Sequence, residues 1–195
     1  GSFDVFPEGD SIVYASEEEH EPGQNRVRIL VRDLESGAER EVYRVVLGGV
    51  GQVNHVALSP DGETVAFLHR AKRQNEENPD AVLLVPIGGG PARELVAGNF
   101  MKIAWMRNGE SLLVRAIGDP ADLRGGGMKL LRADVESGEV FGTRLAMEGV
   151  GHMALSPDGR QLAYADGQRA MEVWAMEGFL PRTEGTAETG NGGQP

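Results

Sequence analysis

The sequence predicts an all-β protein of the β-propeller class, with four blade-like units in series. Three observations predict it. A turn signature recurs at intervals of roughly 50 residues, close to the ~40–50-residue period of propeller blades. Short apolar runs flank each copy of that turn and read as strands. Glycine is abundant, with 28 of 195 residues, while aromatics make up only 6%, a balance that favours turn-rich β structure over helix bundles.

The two clearest copies align without a gap over thirteen positions. His55-Val56-Ala57-Leu58-Ser59-Pro60-Asp61-Gly62 leads into Glu63-Thr64-Val65-Ala66-Phe67. His152-Met153-Ala154-Leu155-Ser156-Pro157-Asp158-Gly159 leads into Arg160-Gln161-Leu162-Ala163-Tyr164. A weaker copy runs from Lys102 through Asn108-Gly109 to Val114, and a fourth from Phe3 through Pro7-Glu8-Gly9 to Tyr14. In each, an apolar run enters a tight turn. Proline presets φ at the second turn position in three of the four, glycine accepts positive φ near the end, and a second apolar run leaves.

Each unit then justifies its remaining strands in order. The first unit, 3–48, adds a run at Val27 to Val31, the turn Asp33-Leu34-Glu35-Ser36-Gly37, and a run at Glu41 to Val46. The second, 49–97, adds Ala81 to Val85, the turn Pro86-Ile87-Gly88-Gly89-Gly90, and Ala92 to Val96. The third, 98–148, adds Met128 to Leu131, the turn Asp134-Val135-Glu136-Ser137-Gly138, and Val140 to Leu145. The fourth, 149–181, has Met171 to Ala175 but no outermost strand, because the chain is polar and glycine-rich from Arg182 onward. Residues 182–195 hold too little apolar surface to offset ordering entropy and are expected to be disordered. Four antiparallel strands per unit is the architecture of a blade. Runs such as Val82-Leu83-Leu84-Val85 are apolar without alternation, as sheets covered on both faces require. An ordinary β-sandwich built of similar hairpins is the alternative.

Charge and composition narrow the function classes. The net charge of −11 opposes binding to phosphate backbones, so nucleic acid is not an expected partner. The absence of cysteine removes disulfides, thiolate chemistry and cysteine-ligated metals. No apolar run approaches the ~20 residues that span a bilayer. The opening Gly1-Ser2 reads as a tag-cleavage scar, so a targeting segment or neighbouring domain is expected to precede it natively. No nucleophile elbow, Walker loop, HExxH or dinucleotide fingerprint is present, and no enzymatic activity or cofactor is expected.

The Ser-Pro-Asp-Gly turn followed by an apolar pair and an aromatic resembles the TolB-type propeller repeat. The unit from Leu155 to Tyr164, continuing through Glu172-Val173-Trp174-Ala175-Met176-Glu177, carries the resemblance most fully. It covers about residues 3–181. The resemblance implies six to eight blades, more than the four units here, so a partial propeller is expected, completed by a second copy in a homodimer. A closed four-bladed ring is the alternative. It also implies a non-catalytic binding or sensing module of a larger bacterial protein, binding a protein or peptide through a loop face or the channel mouth. The alternatives are an accessory propeller of a hydrolase or peptidase and a metal-dependent lyase using channel histidines. The resemblance leans towards a periplasmic or extracytoplasmic location, which the residues themselves leave open.

Three residues are candidates for ligand binding. His55, Lys102 and His152 share one repeat position, at the start of the innermost strand, and equivalent residues of successive blades converge on the propeller axis. Two imidazoles and an amine there suit an anion or a metal. Lys102 weighs against a metal because an ammonium repels a cation. A backbone hydrogen bond to the neighbouring blade is the structural alternative for each histidine. Asp61 and Asp158 read as turn carboxylates, and Trp105 and Trp174 as core anchors. The segments Ser16 to Asn25, His69 to Asp80 and Gly118 to Gly127 read as long polar loops on one face. The first of them, with Glu17-Glu18-Glu19-His20-Glu21, is a candidate for weak cation binding.

Overall fold

The structure, a computed structural model, describes residues 2–22, 24–48, 52–70, 80–117, 128–147, 153–156 and 161–164. Every regular element among them is a β-strand. The first sheet is β1 (Phe3–Val5), β2 (Ser11–Glu21), β3 (Gln24–Asp33) and β4 (Glu39–Gly48). The second is β5 (Gln52–Leu58), β6 (Thr64–Arg70), β7 (Ala81–Pro86) and β8 (Arg93–Ala97). The third is β9 (Phe100–Trp105), β10 (Ser111–Ile117), β11 (Met128–Asp134) and β12 (Val140–Met147). A two-stranded sheet, β13 (Met153–Leu155) and β14 (Leu162–Tyr164), follows. Strands pair antiparallel in chain order within each sheet, and no sheet closes on itself. The chain is an all-β, partial propeller.

The repeat is visible at the level of single hydrogen bonds. The first hairpin of each sheet is closed by the same backbone bond: Phe6 to Ser11 at 2.9 Å, Ser59 to Thr64 at 2.8 Å, Met106 to Ser111 at 2.9 Å and Ser156 to Gln161 at 2.8 Å. Gly9, Gly62 and Gly109 adopt φ between 70° and 78°, which non-glycine residues rarely adopt. In the second sheet Ser59 donates its hydroxyl hydrogen to Asp61 at 2.5 Å, and Asp61 accepts from the Glu63 amide at 3.0 Å. Asp61 is thus occupied inside its turn. Asp158 lies outside the described residues.

Neighbouring sheets bury one face against the next. Val13, Val27, Ile29 and Val42 of the first sheet pack with Val56, Val65, Phe67 and Val85 of the second. Ala57, Ala66, Leu68 and Val82 on the opposite face of the second sheet pack with Ile103, Trp105, Leu112 and Val114 of the third. Leu113 and Leu130 then meet Met153, Leu155 and Leu162 of the fourth. Fully burying an aliphatic side chain of this kind contributes about 1.5–3 kcal/mol, so these layers hold the sheets together.

Polar links repeat as well. Arg40 donates to the Ile87 carbonyl at 2.7 Å, and Arg93, at the equivalent position one sheet later, donates to the Val135 carbonyl at 2.5 Å. Each outer strand is thereby tied to the turn between the third and fourth strands of the following sheet. The edge strand β5 is capped from the first sheet: the Val56 amide donates to Ser2 Oγ at 3.1 Å and the Leu58 amide to Asp4 Oδ2 at 2.8 Å. Satisfying edge amides with side chains removes a template for stray strand pairing.

One expectation is corrected. Residues 16–25 do not form a polar loop. Glu17, Glu18 and Glu19 continue β2 and pair with Val27, Arg26 and Asn25 of β3. The physical reason is cross-strand charge pairing: Glu18 sits 3.0 Å from Arg26 and 3.5 Å from Arg28. The arginines hold the Glu18 carboxyl below its ordinary range. Most of residues 69–80 and all of 118–127 lie outside the described residues, as do Trp174, the third run of the fourth unit and the tail.

Candidate functional site

A recess of about 610 Å³ opens where the innermost strands begin. Its lining comes from three sheets: Ser2, Ala15 and Glu17 from the first, Gln52, Val53 and Asn54 from the second, and Lys102 from the third. Two irregularities shape it. The register of β5 against β6 shifts between Val53 and Val56, and that of β9 against β10 shifts at Arg115 and Ala116. A bulge re-aims side chains and loosens pairing. Here both bulges lie at the recess end of an innermost strand, and Gln52 and Asn54 are solvent-exposed beside the buried Val53. The Val53 amide reaches Glu17 Oε1 at 3.3 Å, which ties the first two sheets together at the recess wall.

Of the three residues singled out in the sequence, Lys102 lines the recess and is half-buried. His55 lies inside the β5 bulge, half-buried, and is not among the residues that line the recess. His152 lies outside the described residues. Among the described residues, no cluster of three or more His, Asp or Glu has the arrangement to hold a metal. Within the Glu-rich stretch offered for a cation, Glu18 is engaged with Arg26 and Arg28 and Glu17 with the Val53 amide.

Sequence reasoning missed Ser2, Gln52 and Asn54, which carry no motif and reach the recess only through neighbouring sheets, and it singles out Glu17 only as part of a cation candidate. Arg115, which does not line the recess, sits across from Lys102 in register and is 1% exposed. A signal for it existed: the same repeat position holds Ala15 in the first unit and Leu68 in the second. Arginine is almost never fully buried unless paired, so a charge at a core position marks a specialised site.

A 310 Å³ hollow is lined by Ser2, Phe3, Ile12, Tyr14, Ala15 and Arg32 on the first sheet. The Tyr14 hydroxyl donates to Glu39 at 2.6 Å, and that bond raises the Tyr14 pKa above its ordinary value.

Residues 29–159 match the family described as the lipoprotein LpqB β-propeller domain. The chain belongs to that family. This member of the LpqB β-propeller family also shares its fold with solved structures, TolB among them. TolB from Acinetobacter baumannii matches with a TM-score of 0.62 and 18% identity, over 84% of this chain and 36% of that one. The β-propeller domain of the trilobed protease from Pyrococcus furiosus matches with a TM-score of 0.54 and 15% identity, over 86% and 49%. Puromycin hydrolase matches with a TM-score of 0.56 and 19% identity, over 85% and 30%. The chain spans less than half the length of each of these three structures. No curated protein matches the sequence. Among the described residues no helix is long and apolar enough to cross a membrane.

Proposed function

We propose that this propeller acts as a non-catalytic binding module, taking a protein or peptide segment at the recess where its innermost strands begin. The observation that carries the reading is the make-up of that recess. Three sheets converge there on two amides, a hydroxyl, a carboxylate and an ammonium, with only Ala15 and Val53 as apolar lining. Amide side chains offer both donors and acceptors, which suits an extended backbone. Lys102 adds one positive charge in a protein that is acidic overall, which suits a carboxylate on the incoming segment. Among the described residues that line the recess, no hydrogen bond pairs a nucleophile with a base, the minimum for covalent catalysis: Ser2 Oγ and Glu17 each accept from a backbone amide. Membership of the LpqB β-propeller family and the fold shared with TolB support the reading.

A second reading is an accessory propeller of a peptidase. The fold similarity to the propeller of the trilobed protease and to puromycin hydrolase favours it. In that case the recess would screen segments bound for a separate catalytic domain.

Panning a random peptide library displayed on phage against the purified chain tests the first reading. Selected peptides are expected to lose at least tenfold in affinity towards Lys102→Ala and Asn54→Ala, measured by calorimetry. Peptides that bind both variants as well as the original protein would place the binding surface elsewhere.

A further inference from the structure

The recess carries opposite charges on two of its walls and amides on the wall between. Glu17 comes from the first sheet, Gln52 and Asn54 from the second, and Lys102 from the third. The second sheet packs on the first through one face and on the third through the other. The sheet that bears the amides therefore stands between the one that bears the carboxylate and the one that bears the ammonium.

The two charges do not satisfy each other. Among the described residues no ion pair joins Glu17 to Lys102, and Lys102 makes no hydrogen bond or ion pair with any other group. Lys102 is half-buried, and an ammonium partly withdrawn from water without a partner carries a desolvation cost. Glu17 is exposed, and its one hydrogen bond among the described residues is accepted from the Val53 amide at 3.3 Å, on Oε1. Glu18 shows the contrast. Both of its oxygens are engaged, by Arg26 at 3.0 Å and Arg28 at 3.5 Å. Alternation along β2 turns Glu17 and Glu18 to opposite faces, and the residue across from Glu17 in β3 is Val27. The arginines that neutralise Glu18 leave Glu17 its charge on the recess side.

We infer that the recess holds a short peptide with both termini free, its ammonium end at Glu17, its carboxylate end at Lys102 and its peptide groups against Gln52 and Asn54. The inference rests on the recess being a peptide site and names the ligand of that site. A carboxamide side chain both donates and accepts, as the N–H and C=O of a peptide group require. The recess volume of about 610 Å³ falls within the roughly 300–1,000 Å³ of small-molecule pockets, so a few residues fill it. Charge-assisted hydrogen bonds are about twice as strong as neutral ones, and Ala15 and Val53 are the only apolar lining among the described residues. Recognition therefore falls on the ends of the peptide rather than on its side chains. A longer chain running through the recess presents neither end to these two charges.

Calorimetry on the purified chain tests this with trialanine, N-acetyl-trialanine and trialanine amide. Free trialanine is expected to bind, and blocking either end is expected to weaken binding at least about tenfold. Glu17→Gln is expected to bind free and acetylated peptide alike, and Lys102→Met to bind free and amidated peptide alike. Each variant has lost the charge that the blocked end would have met, so the two changes do not add. Circular dichroism checks that both variants stay folded, as expected for residues outside the core clusters. No binding of trialanine would overturn the inference, as would blocked peptides that bind the unaltered chain as tightly as the free one. An acetylation penalty that persists in Glu17→Gln, or an amidation penalty that persists in Lys102→Met, would overturn it too. If phage-selected peptides then still depend on Lys102 and Asn54, the recess remains a binding site for a longer segment and only this inference falls. If they do not, both fall.

Discussion

Gly138 packs directly under Leu95: a Cβ built on Gly138 would lie 2.7 Å from the Leu95 carbonyl oxygen. Leu95 belongs to the outermost strand of the second sheet, and Gly138 to the turn between the third and fourth strands of the third. The preceding sheet performs the same move, since a Cβ on Gly89 would lie 3.6 Å from the Val42 carbonyl oxygen. The outer strand of each sheet thus rests its backbone on a glycine-bearing turn of the next. Arg93 reinforces that contact through the Val135 carbonyl.

Gly138→Ala is therefore expected to destabilise the protein by about 2 kcal/mol or more. It combines a positive φ of 74° with a collision against backbone that cannot rotate away. Gly109→Ala provides the comparison. Its φ is 70°, yet nothing lies within 4 Å of the added methyl, so only the backbone strain of about 1 kcal/mol remains. Urea unfolding of both variants measures the difference. Equal losses would show that the Gly138 contact is not tight in solution.

Trp105→Phe removes the indole donor from the Ala57 carbonyl while keeping an aromatic ring in the layer between the second and third sheets. The loss of one buried hydrogen bond is expected to cost about 1 kcal/mol, or a drop in Tm of about 2–4 °C for a protein of this size. Trp105→Ala adds a cavity and is expected to cost about 3–5 kcal/mol. Calorimetry of the two variants separates the bond from the packing.

Stability is expected to fall in two stages on acidification. Burial pulls the His69 imidazole below its ordinary pKa, with Asp80 and Glu94 opposing in part. A depressed histidine means the unfolded chain binds the proton first. Its contribution is complete above the unfolded value of about 6.5 and declines as pH drops from there towards the folded value. His69→Gln is expected to flatten the change in Tm between pH 7.5 and pH 5.5. A second decline follows at lower pH, from turn carboxylates. The Ser59 hydroxyl, and then the Glu63 amide, hold Asp61 below the usual carboxylate value. Ser36 and Ser137 do the same for Asp33 and Asp134. These contributions are complete above about pH 4 and vanish as pH falls through the folded values. Asp61→Asn is expected to lower Tm at neutral pH and to shrink the acid decline. An unchanged acid limb in that variant would remove Asp61 from the account.

The amino-acid sequence by itself determined the all-β class, the number of repeated units, the hairpin turns at Gly9, Gly62 and Gly109 and the burial of Trp105. Those features rest on bonds between residues a few positions apart, such as Ser59 to Thr64, and on apolar runs that any alignment displays. Only the tertiary structure decided that Glu17 to Glu21 extend a strand, because the arginines that pair with Glu18 lie across the hairpin. It alone gathered Ser2, Glu17, Gln52, Asn54 and Lys102 into one recess, because bulges and the stacking of separate sheets set which side chains converge. It alone left Phe3 and Val5 bare where Val56 and Leu58 are covered. The pattern of apolar residues is the same in both sheets, and exposure depends on whether a neighbouring sheet is there to exclude water.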